Sequence, residues 1–550
     1  MDYKKLAGIL FPSINNDIDY YENKFPQRNL EKGACVTRLA PSPTGFIHLG
    51  NLYGALVDER LAHQSKGLMI LRIEDTDHKR KVDGAESVII NALKYFNINF
   101  DEGVTLDGEV GEYGPYHQSN RKEIYQTVAK YLVEQGKAYP SFVSEEELEA
   151  IREEQVKNNE MTGYYGKYAK DRDLSLEEIE QNIKDGKSWT LRLKSMGNPE
   201  ETREIKDAIR GSVTIHPNNM DIVLLKQNGI PTYHFAHAVD DHFMRITHVI
   251  RGEEWLSTLP VHIELFETIG WKTPIYCHTA HMMKMDNGNK RKLSKRKDPE
   301  LSLEYYQKLG YFKEALIEYL MIILNSNFEE WRAKNSDADI DEFKFKLDKM
   351  SSSGALFDMN KLDDVSKEVI VNMDIDDIAD FFFNWAEEYE EEKYNIIKDH
   401  KEEVKKLFSI GRDGKKPRKD LIYASQMFDF ISYYFDECIK GYEDLPENIN
   451  KETAIKLLKE YLEVFDISDD NSMWFEKIKE ISEKNNFAVK MKDYKNNPEN
   501  YQGSIADVST VIRLGMTSLR VSPDIYAIGN IMGEDKVKER LNKYINYLSE

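Results

Sequence analysis

The chain has 550 residues, of which 41% are hydrophobic and 31% are charged, and its formal net charge is −22. This length predicts about three to five structural units, and the composition is typical of a folded globular protein. The absence of a long apolar run, of a signal-peptide core and of any CxxC spacing argues against a membrane protein, a secreted protein and a cysteine-rich zinc or disulfide scaffold. We therefore expect a cytoplasmic protein without membrane contact.

An α/β pattern follows an N-terminal extension, 1–33, of short helix and loop. Pro41 and Pro43 separate the first apolar strand from the helix behind it. Repeated strand–helix pairs at this spacing predict βαβ units and a parallel sheet. The strands are predicted at 35–40 and 67–73, and the helices at about 47–64 and 85–96.

A segment of different character, 137–220, interrupts this pattern and predicts an inserted domain. After Pro299 the chain becomes almost wholly helical. In the insertion we predict charged helices over 144–158 and 175–185 and a strand over 189–193, and behind it a return of α/β character at 221–225 and 246–251.

The first segment with chemical content runs from Arg38 to Asn51. Gly45 and Gly50 have the spacing of a P-loop, but Asn51 stands where that motif needs lysine, so the Walker interpretation fails. What remains is a turn into a helix start, where backbone N–H groups and the helix dipole favour an anion. His48 could donate a hydrogen bond to a phosphate oxygen, or it could simply cap its own helix.

The second segment, 284–297, contains seven lysine and arginine residues against the single acid Asp286. It predicts a mobile cationic loop that could close over a triphosphate and neutralise charge on a leaving pyrophosphate. A solvated surface loop is the alternative. A further basic segment, 411–419, could be a patch that contacts nucleic-acid phosphates or a solvated surface loop.

Together these segments resemble the signature regions of the glutamyl-tRNA synthetases, a family of class I aminoacyl-tRNA synthetases. Arg38–Asn51 resembles the family's "HIGH" region, and Lys292–Arg296 resembles its "KMSKS" loop. The resemblance is dense over 35–300, where it includes Arg72–Asp77 and Pro231–Trp255. It is sparser at 357–362 and within 511–541.

The resemblance implies an α/β fold, namely a Rossmann-type class I catalytic domain with an inserted α+β domain and an all-α C-terminal half. The implied domains are an extension (1–33), a first catalytic half (34–136), an acceptor-end-binding insertion (137–220), a second catalytic half with the KMSKS-like loop (221–300), a helical stem-contact domain (301–380) and a helical anticodon-binding region (381–550).

The resemblance also implies a two-step ligase reaction. L-glutamate is activated by ATP to glutamyl-adenylate and is then transferred to the 3′ end of tRNA(Glu). The implied cofactors are ATP and Mg²⁺ that arrives with it, without zinc, and the implied enzyme is a cytoplasmic monomer. Because such chemistry needs little proton transfer, positioning and charge neutralisation should dominate.

By match to the family, three groups of residues carry the reaction. Guanidinium groups suit carboxylates, and cations suit phosphates. The glutamate pocket is expected at Arg38, Ser42, Glu74, Tyr233 and Arg251. The ATP site is expected at Thr44, Gly45, His48, Gly50, Asn51, Glu254, Trp255, Leu293, Ser294 and Lys295, with His48, Lys292 and Lys295 as catalytic residues. Contacts to tRNA phosphates are expected at Arg412, Lys415, Lys416 and Arg418.

The chain departs from the family pattern at three places. Asn51 replaces the second histidine of the HIGH tetrad. His237 stands where the family often has asparagine, so it could alter substrate contact or titrate near neutral pH. The insertion contains no cysteine, so the zinc knuckle of some family members is not expected here.

Three other classes of protein are alternatives to a glutamyl-tRNA synthetase. A glutaminyl-tRNA synthetase usually has a β-barrel anticodon domain, which disagrees with the helical C-terminal half. The short tRNA-modifying paralogue lacks an anticodon domain altogether. A non-catalytic binding protein on the same scaffold disagrees with the retained His48, Lys292 and Lys295. Whether tRNA(Gln) is also charged stays open.

Overall fold

The computed structural model describes residues 1–43, 47–77, 82–294 and 296–550. It divides the chain into two compact units, the first formed by Met1–Leu303 with Ile317–Asp358 and the second by Glu304–Leu316 with Met359–Glu550. The stem-contact domain expected at 301–380 is therefore divided between them. Residues 317–358 belong to the first unit, whereas residues 304–316 and 359–380 belong to the second.

The first unit begins with the extension and the first half of the catalytic domain. Its elements are α1 (Tyr3–Leu10), α2 (Ile18–Lys24), β1 (Val36–Leu39), α3 (Leu49–Gln64), β2 (Leu68–Leu71), α4 (Ala85–Tyr95), β3 (Glu102–Thr105), β4 (Gly108–Val110) and α5 (Lys122–Glu134).

The insertion and the second half of the catalytic domain follow. Their elements are β5 (Ala138–Ser141), α6 (Glu145–Lys157), α7 (Leu176–Lys184), β6 (Thr190–Leu193), β7 (Arg203–Asp207), β8 (Gly211–Ile215), β9 (Val223–Leu225), α8 (Tyr233–Phe243), β10 (His248–Gly252), α9 (Leu259–Ile269), β11 (Ile275–Thr279), β12 (Met282–Asp286) and β13 (Asn289–Lys292).

The core of the first unit is built on parallel strand pairs, as the strand–helix pattern predicts, with β4 added antiparallel to β3. β2 pairs in parallel with β1 and with β3, and β10 pairs in parallel with β11. The backbone N–H of Thr247 donates to the Val36 carbonyl at 2.9 Å, which sets β10 beside β1. The carboxyl ends of these strands meet at one edge, the edge where open α/β sheets bind their ligands. Arg38, Arg72 and Arg251 all lie at or just beyond these ends.

The insertion carries a sheet of its own, in which β6 pairs antiparallel with both β5 and β9. Residues 221–225 are expected in the second catalytic half, but β9 pairs with β6 of the insertion. A run of three β-type residues cannot specify its partner, so this pairing is not predictable from the sequence. The charged helices were predicted correctly, since Ser144 and Ser175 begin α6 and α7 with capping boxes.

The N-terminal extension packs against the catalytic core. Tyr21 and Phe25 are almost fully buried, and both rings contact Phe243 at the end of α8. Arg28 forms a bidentate pair with Glu102 of β3, with N···O distances of 2.6 and 2.9 Å. Because these contacts join three separate elements, the extension belongs to the folded unit.

Helices dominate the rest of the chain, as predicted. The elements are α10 (Leu303–Leu309), α11 (Lys313–Leu324), α12 (Phe328–Lys334), β14 (Ala355–Leu356), α13 (Met359–Val371), α14 (Ile375–Tyr389), α15 (Glu391–Ile397), α16 (Lys401–Ser409), α17 (Ala424–Ile431), α18 (Lys451–Val464), α19 (Asn471–Lys484), β15 (Phe487–Ala488), α20 (Met491–Asn496), β16 (Gly503–Ser504), α21 (Ile505–Thr517), α22 (Ile525–Met532) and α23 (Glu534–Ser549). One contiguous apolar cluster forms the core of the second unit.

Candidate active site

Two arginines at the sheet edge share one buried carboxylate. Arg38, at the end of β1, donates from Nε to both oxygens of Asp241 at 3.2 Å, and Arg72, just beyond β2, donates from Nη1 to Oδ1 at 2.6 Å. All three side chains are almost fully buried. Burial alone would raise the pKa of Asp241, but the two guanidinium groups hold it well below its usual value. The carboxylate is therefore ionised, and it fixes both arginines.

The neighbouring Asp240 has a comparable structural role. Its oxygens accept from Arg121 Nε at 2.6 Å, from the Tyr125 hydroxyl at 2.8 Å and from Gln118 Nε2 at 2.9 Å. Asp75 similarly accepts from the backbone and hydroxyl of Ser119. These aspartates orient strand ends and basic side chains.

Arg251, at the end of β10, has a different environment. Its Nε donates to His278 Nε2 at 2.9 Å and its Nη1 to His262 Nδ1 at 2.8 Å, while its guanidinium carbon lies 4.7 Å from the centre of the Tyr276 ring. Within the described parts of the chain, the buried Nη2 has no hydrogen-bond partner. Burial lowers the pKa of Arg251, and the nearby hydroxyls of Tyr276 and Tyr233 oppose that shift.

Further aromatic rings lie close to Arg251. Tyr233, the first residue of α8, lies with its ring centre 4.6 Å from that of Trp255 and 6.1 Å from that of His237. The structure thus brings Tyr233 and Trp255 together, next to Arg251. Glu74 is also close, since its carboxylate accepts from Arg72 Nη2 at 3.3 Å, whereas Ser42 is exposed.

The suggestion that His237 titrates near neutral pH is wrong. Its side chain is fully buried, with Nε2 at 3.0 Å from the Tyr276 hydroxyl and Nδ1 at 3.0 Å from Asp241. Burial lowers its pKa to about 4, although Asp241 opposes the shift. The imidazole is therefore neutral at pH 7.

The HIGH-like segment places His48 at the N-cap of α3. The Asn51 carboxamide oxygen accepts from the His48 backbone N–H at 3.1 Å, so the side chain in the place of the second histidine serves the helix start. A Cβ at Gly50 would lie 3.1 Å from two atoms of the His48 ring, so glycine there lets the imidazole approach the helix closely. His48 also forms a backbone bridge with Ser302, and this contact brings the HIGH-like segment near the end of the basic segment.

The basic segment is more ordered than a loop over its first part. β12 and β13 form an antiparallel hairpin whose turn, Asn287–Gly288, has positive φ at both residues. After β13, Asp298 organises the chain, because it accepts two bonds of 2.7 Å from Arg291 and one of 2.8 Å from the Ser294 backbone. These bonds to Arg291 hold the pKa of Asp298 below its usual range.

The hairpin presents Lys292 next to a chain of polar groups. Lys292 is exposed, and its Nζ lies 3.2 Å from His281 Nε2. The His281 backbone donates to Glu253 at 2.8 Å, and its Nδ1 lies 3.4 Å from the exposed Glu254. Leu293 is buried and anchors the strand end. The predicted ATP residues Thr44, Gly45 and Lys295 lie outside the described residues.

The basic segment of the second unit connects α16 and α17. Lys415 and Lys416 are exposed, but Arg412 lies 3.7 Å from Asp420, and Arg418 pairs with the same carboxylate. Asp420 therefore offsets part of the positive charge that the lysine and arginine content of this segment suggests. Arg418 also lines a cavity of about 500 Å³ with Phe430, Tyr433 and Arg513 among its other walls.

Several residues of the site escaped the sequence analysis, namely Arg72 as a partner of Asp241, and His262, His278 and Asp207 around Arg251. A histidine inside the buried strand β11 was a signal for His278, since buried polar groups require partners. Nothing in the chain predicts the partners themselves. Among the described residues, no group of three His, Cys, Asp or Glu side chains could hold a metal ion, and no helix is long and apolar enough to cross a membrane.

Comparison with known proteins identifies the class. The family model for the catalytic domain of class I tRNA synthetases (E and Q) matches residues 34–364. This range contains the arginine pocket, the HIGH-like helix start and the basic hairpin. The chain therefore belongs to the class I synthetases for glutamate and glutamine.

Relatives of known function narrow the assignment to one amino acid. A curated glutamate–tRNA ligase of Acetivibrio thermocellus is 61% identical over 546 residues, covering 99% of this chain and 100% of the relative. One from Clostridium perfringens is 46% identical over 550 residues, with the same coverage. The crystal structure of a glutamate tRNA ligase from Elizabethkingia meningosepticum, described as a complex with its amino acid, matches with a TM-score of 0.76 and 27% identity over 94% of this chain and 99% of that one. The chain is an aminoacyl-tRNA ligase that uses ATP to attach glutamate to tRNA.

Proposed function

We propose that the sheet edge of the first unit binds glutamate between Arg38 and Arg251 and that the two signature segments bind ATP. The observation that carries the proposal is the contrast between the two arginines. Arg38 is fixed by Asp241, whereas Arg251 is held by His278 and His262 and, in the parts of the chain that the structure describes, its Nη2 has no hydrogen-bond partner. A guanidinium with a free edge can take a carboxylate of the substrate.

The remaining pocket residues have roles that fit their places. Tyr233 and Trp255 form an aromatic wall, and Glu74 is placed to accept the substrate ammonium group beside Arg72. Burial raises the pKa of Glu74, and the nearby arginines oppose that shift. Ser42 is exposed next to Pro43 and would add a hydroxyl donor.

For ATP, we assign the fixed side to His48, Gly50 and the start of α3, and the other side to Lys292, Ser294 and Lys295. Adenylate formation then depends on positioning glutamate in line with the α-phosphate and on neutralising the pyrophosphate that leaves. Mg²⁺ would arrive with the nucleotide phosphates, because the oxygens of Asp240 and Asp241 already accept from arginine and tyrosine donors.

The second unit is proposed to bind the anticodon part of tRNA(Glu). Its cavity combines Arg418 and Arg513 with the rings of Phe430 and Tyr433, a set that suits a stacked base beside a phosphate. Arg412, Lys415 and Lys416 would supply further phosphate contacts. We expect R418A to raise the KM for tRNA and to leave the KM for glutamate unchanged.

The pocket is tested with amino-acid-dependent ATP–pyrophosphate exchange in the presence of tRNA. Glutamate, but not glutamine, should support exchange, and R251A should raise the glutamate KM about 100-fold through the loss of two charge-assisted hydrogen bonds. The exposed Arg152 provides the matched control R152A. Exchange with glutamine, or an unchanged KM in R251A, would contradict the pocket. Aminoacylation of tRNA(Glu) and tRNA(Gln) side by side would then define the tRNA range. We also expect a cytoplasmic monomer, which sedimentation can check.

A further inference from the structure

Arg251 is held from two sides by imidazole rings. His278 on β11 accepts from Nε, and His262 on α9 accepts from Nη1, at 2.9 and 2.8 Å. Both rings are fully buried, and Arg251 itself is 8% exposed. Since a guanidinium only donates, each ring must present an unprotonated nitrogen to it.

The contact that His278 makes on the side opposite Arg251 fixes its tautomer. Its Nδ1 lies 2.7 Å from Oδ2 of Asp207, a carboxylate that also accepts from the His278 backbone N–H at 3.1 Å. The single proton of the ring therefore lies on Nδ1 and is donated to Asp207. Asp207 itself is held in place by the backbone N–H groups of Ile209 and Arg210, each at 2.9 Å.

The tautomer of His262 follows from its two contacts in the same way. With Nδ1 accepting from Arg251, its proton lies on Nε2, which is 2.9 Å from His234 Nδ1. His234 must accept this bond and is neutral as well. Burial lowers the pKa of His262, His278 and His234, in agreement with three neutral rings at pH 7.

Neither of the two rings in direct contact with Arg251 carries a negative charge. Among the described residues, Arg251 forms no ion pair with a carboxylate, whereas Arg38 and Arg72 both pair with Asp241. Within the same described ranges, no hydrogen bond to its Nη2 is formed. A neutral acceptor orients a guanidinium as well as a carboxylate does, but it does not cancel the positive charge.

We propose that His262 and His278 are positioning residues that orient Arg251 while leaving its charge available to the substrate, and that they thereby set the preference for a side-chain carboxylate over a carboxamide. This inference rests on the proposed glutamate pocket. A carboxylate in place of either ring would neutralise Arg251 internally. An uncharged side chain such as that of glutamine would then bind as well as an anionic one.

The test compares three kinds of variant by ATP–pyrophosphate exchange with tRNA present. H262L and H278L should raise the glutamate KM about tenfold or more through the loss of one charge-assisted bond, with kcat and the KM for ATP close to wild type. H262N and H278Q, which keep an acceptor near the required atom, should recover most of the affinity. H262D, which adds a carboxylate, should reduce the ratio of glutamate to glutamine activity at least tenfold.

The exposed Leu106, which lies outside the insertion and outside the proposed substrate contacts, gives the control L106A, which should behave as wild type. Thermal unfolding of each variant separates a lost orientation from a lost fold, and the conservative pair H262N and H278Q keeps the test decisive if the leucine variants unfold. A leucine variant that folds and keeps the wild-type KM, or an aspartate variant that keeps the full preference for glutamate, would overturn the inference. If R251A also keeps the wild-type KM, the proposed pocket itself fails, so the two failures are distinguishable.

Discussion

Arg72 Nη1 and Asp241 Oδ1 lie 2.6 Å apart although the two residues are separated by 169 positions in the chain. The bond joins the end of β2 to α8, and it shares its carboxylate with Arg38 of β1. One buried anion thus connects three elements at the substrate edge of the sheet.

The shared carboxylate leads to a first prediction. D241N should lower the free energy of unfolding by about 3 kcal/mol or more, because two buried guanidinium groups lose the carboxylate that they share. It should also raise the glutamate KM, since Arg38 would no longer be held. Calorimetric unfolding and exchange kinetics measure the two effects. The exposed Asp173 offers D173N as the control, and a stability equal to wild type in D241N would contradict the prediction.

The basic hairpin leads to a second prediction. K292A should lower the rate of adenylate formation about 100-fold, because the cation proposed to face the leaving pyrophosphate is removed. Binding of glutamate should change little. Lys290 lies on the same strand and is exposed, so K290A is the matched control. If single-turnover adenylate formation in K292A proceeds at the wild-type rate, Lys292 has no part in the reaction.

The packing of the N-terminal extension leads to a third prediction. F25A should lower the free energy of unfolding by about 3 to 5 kcal/mol, because the ring is fully buried against Tyr113 and Phe243. Leu106 is 52% exposed, so L106A should be nearly neutral. Equal transition temperatures for the two variants would mean that the extension adds nothing to the stability of the unit.

The buried histidines lead to a prediction about pH. His237 has a pKa of about 4 in the folded protein and an ordinary value of about 6.5 when unfolded. Between these values the unfolded chain binds a proton that the folded chain does not, so stability falls as the pH is lowered from about 6.5 to 4, by roughly 3 kcal/mol for this group. His242, also with a pKa of about 4, adds an effect of the same sign.

The variant H237N tests this assignment, because asparagine does not titrate. Its unfolding free energy should depend less steeply on pH between 4 and 6.5 than that of the wild type. His63 serves as an internal contrast, since hydrogen bonds to Asp101 and Glu59 raise its pKa to about 10. Its stabilising contribution is complete below 6.5 and is lost only as the pH rises towards 10. An unchanged slope in H237N would show that His237 is protonated in the fold.

Much of the fold was accessible from local pattern. The strand before Pro41, the helix from Leu49 and the serine-capped helices of the insertion all follow from apolar spacing and capping residues. Pairing between distant strands was not accessible, as the position of β9 in the insertion shows. Local pattern fixes what a segment forms, whereas its partner depends on contacts made only in the complete fold.

The candidate site likewise contains residues that local motifs indicate and residues that only the complete fold brings together. Arg38 and Arg251 are proposed as substrate residues from the motifs around them. Asp207, on the other hand, lies in a hairpin with no motif, 71 positions from His278. The acid–base state of His237 was also beyond reach, because it depends on complete burial and on Asp241.

The bond between Asp207 and His278 has a consequence for the exchange of parts between related enzymes. Asp207 belongs to the insertion, whereas His278 belongs to the catalytic sheet. A foreign insertion transplanted at its apparent boundaries would lack a compatible carboxylate and would leave His278, and through it Arg251, loosely supported. Chimeras should therefore be most active when the β7–β8 hairpin and β11 come from the same parent enzyme, even if the remainder of the inserted domain comes from another.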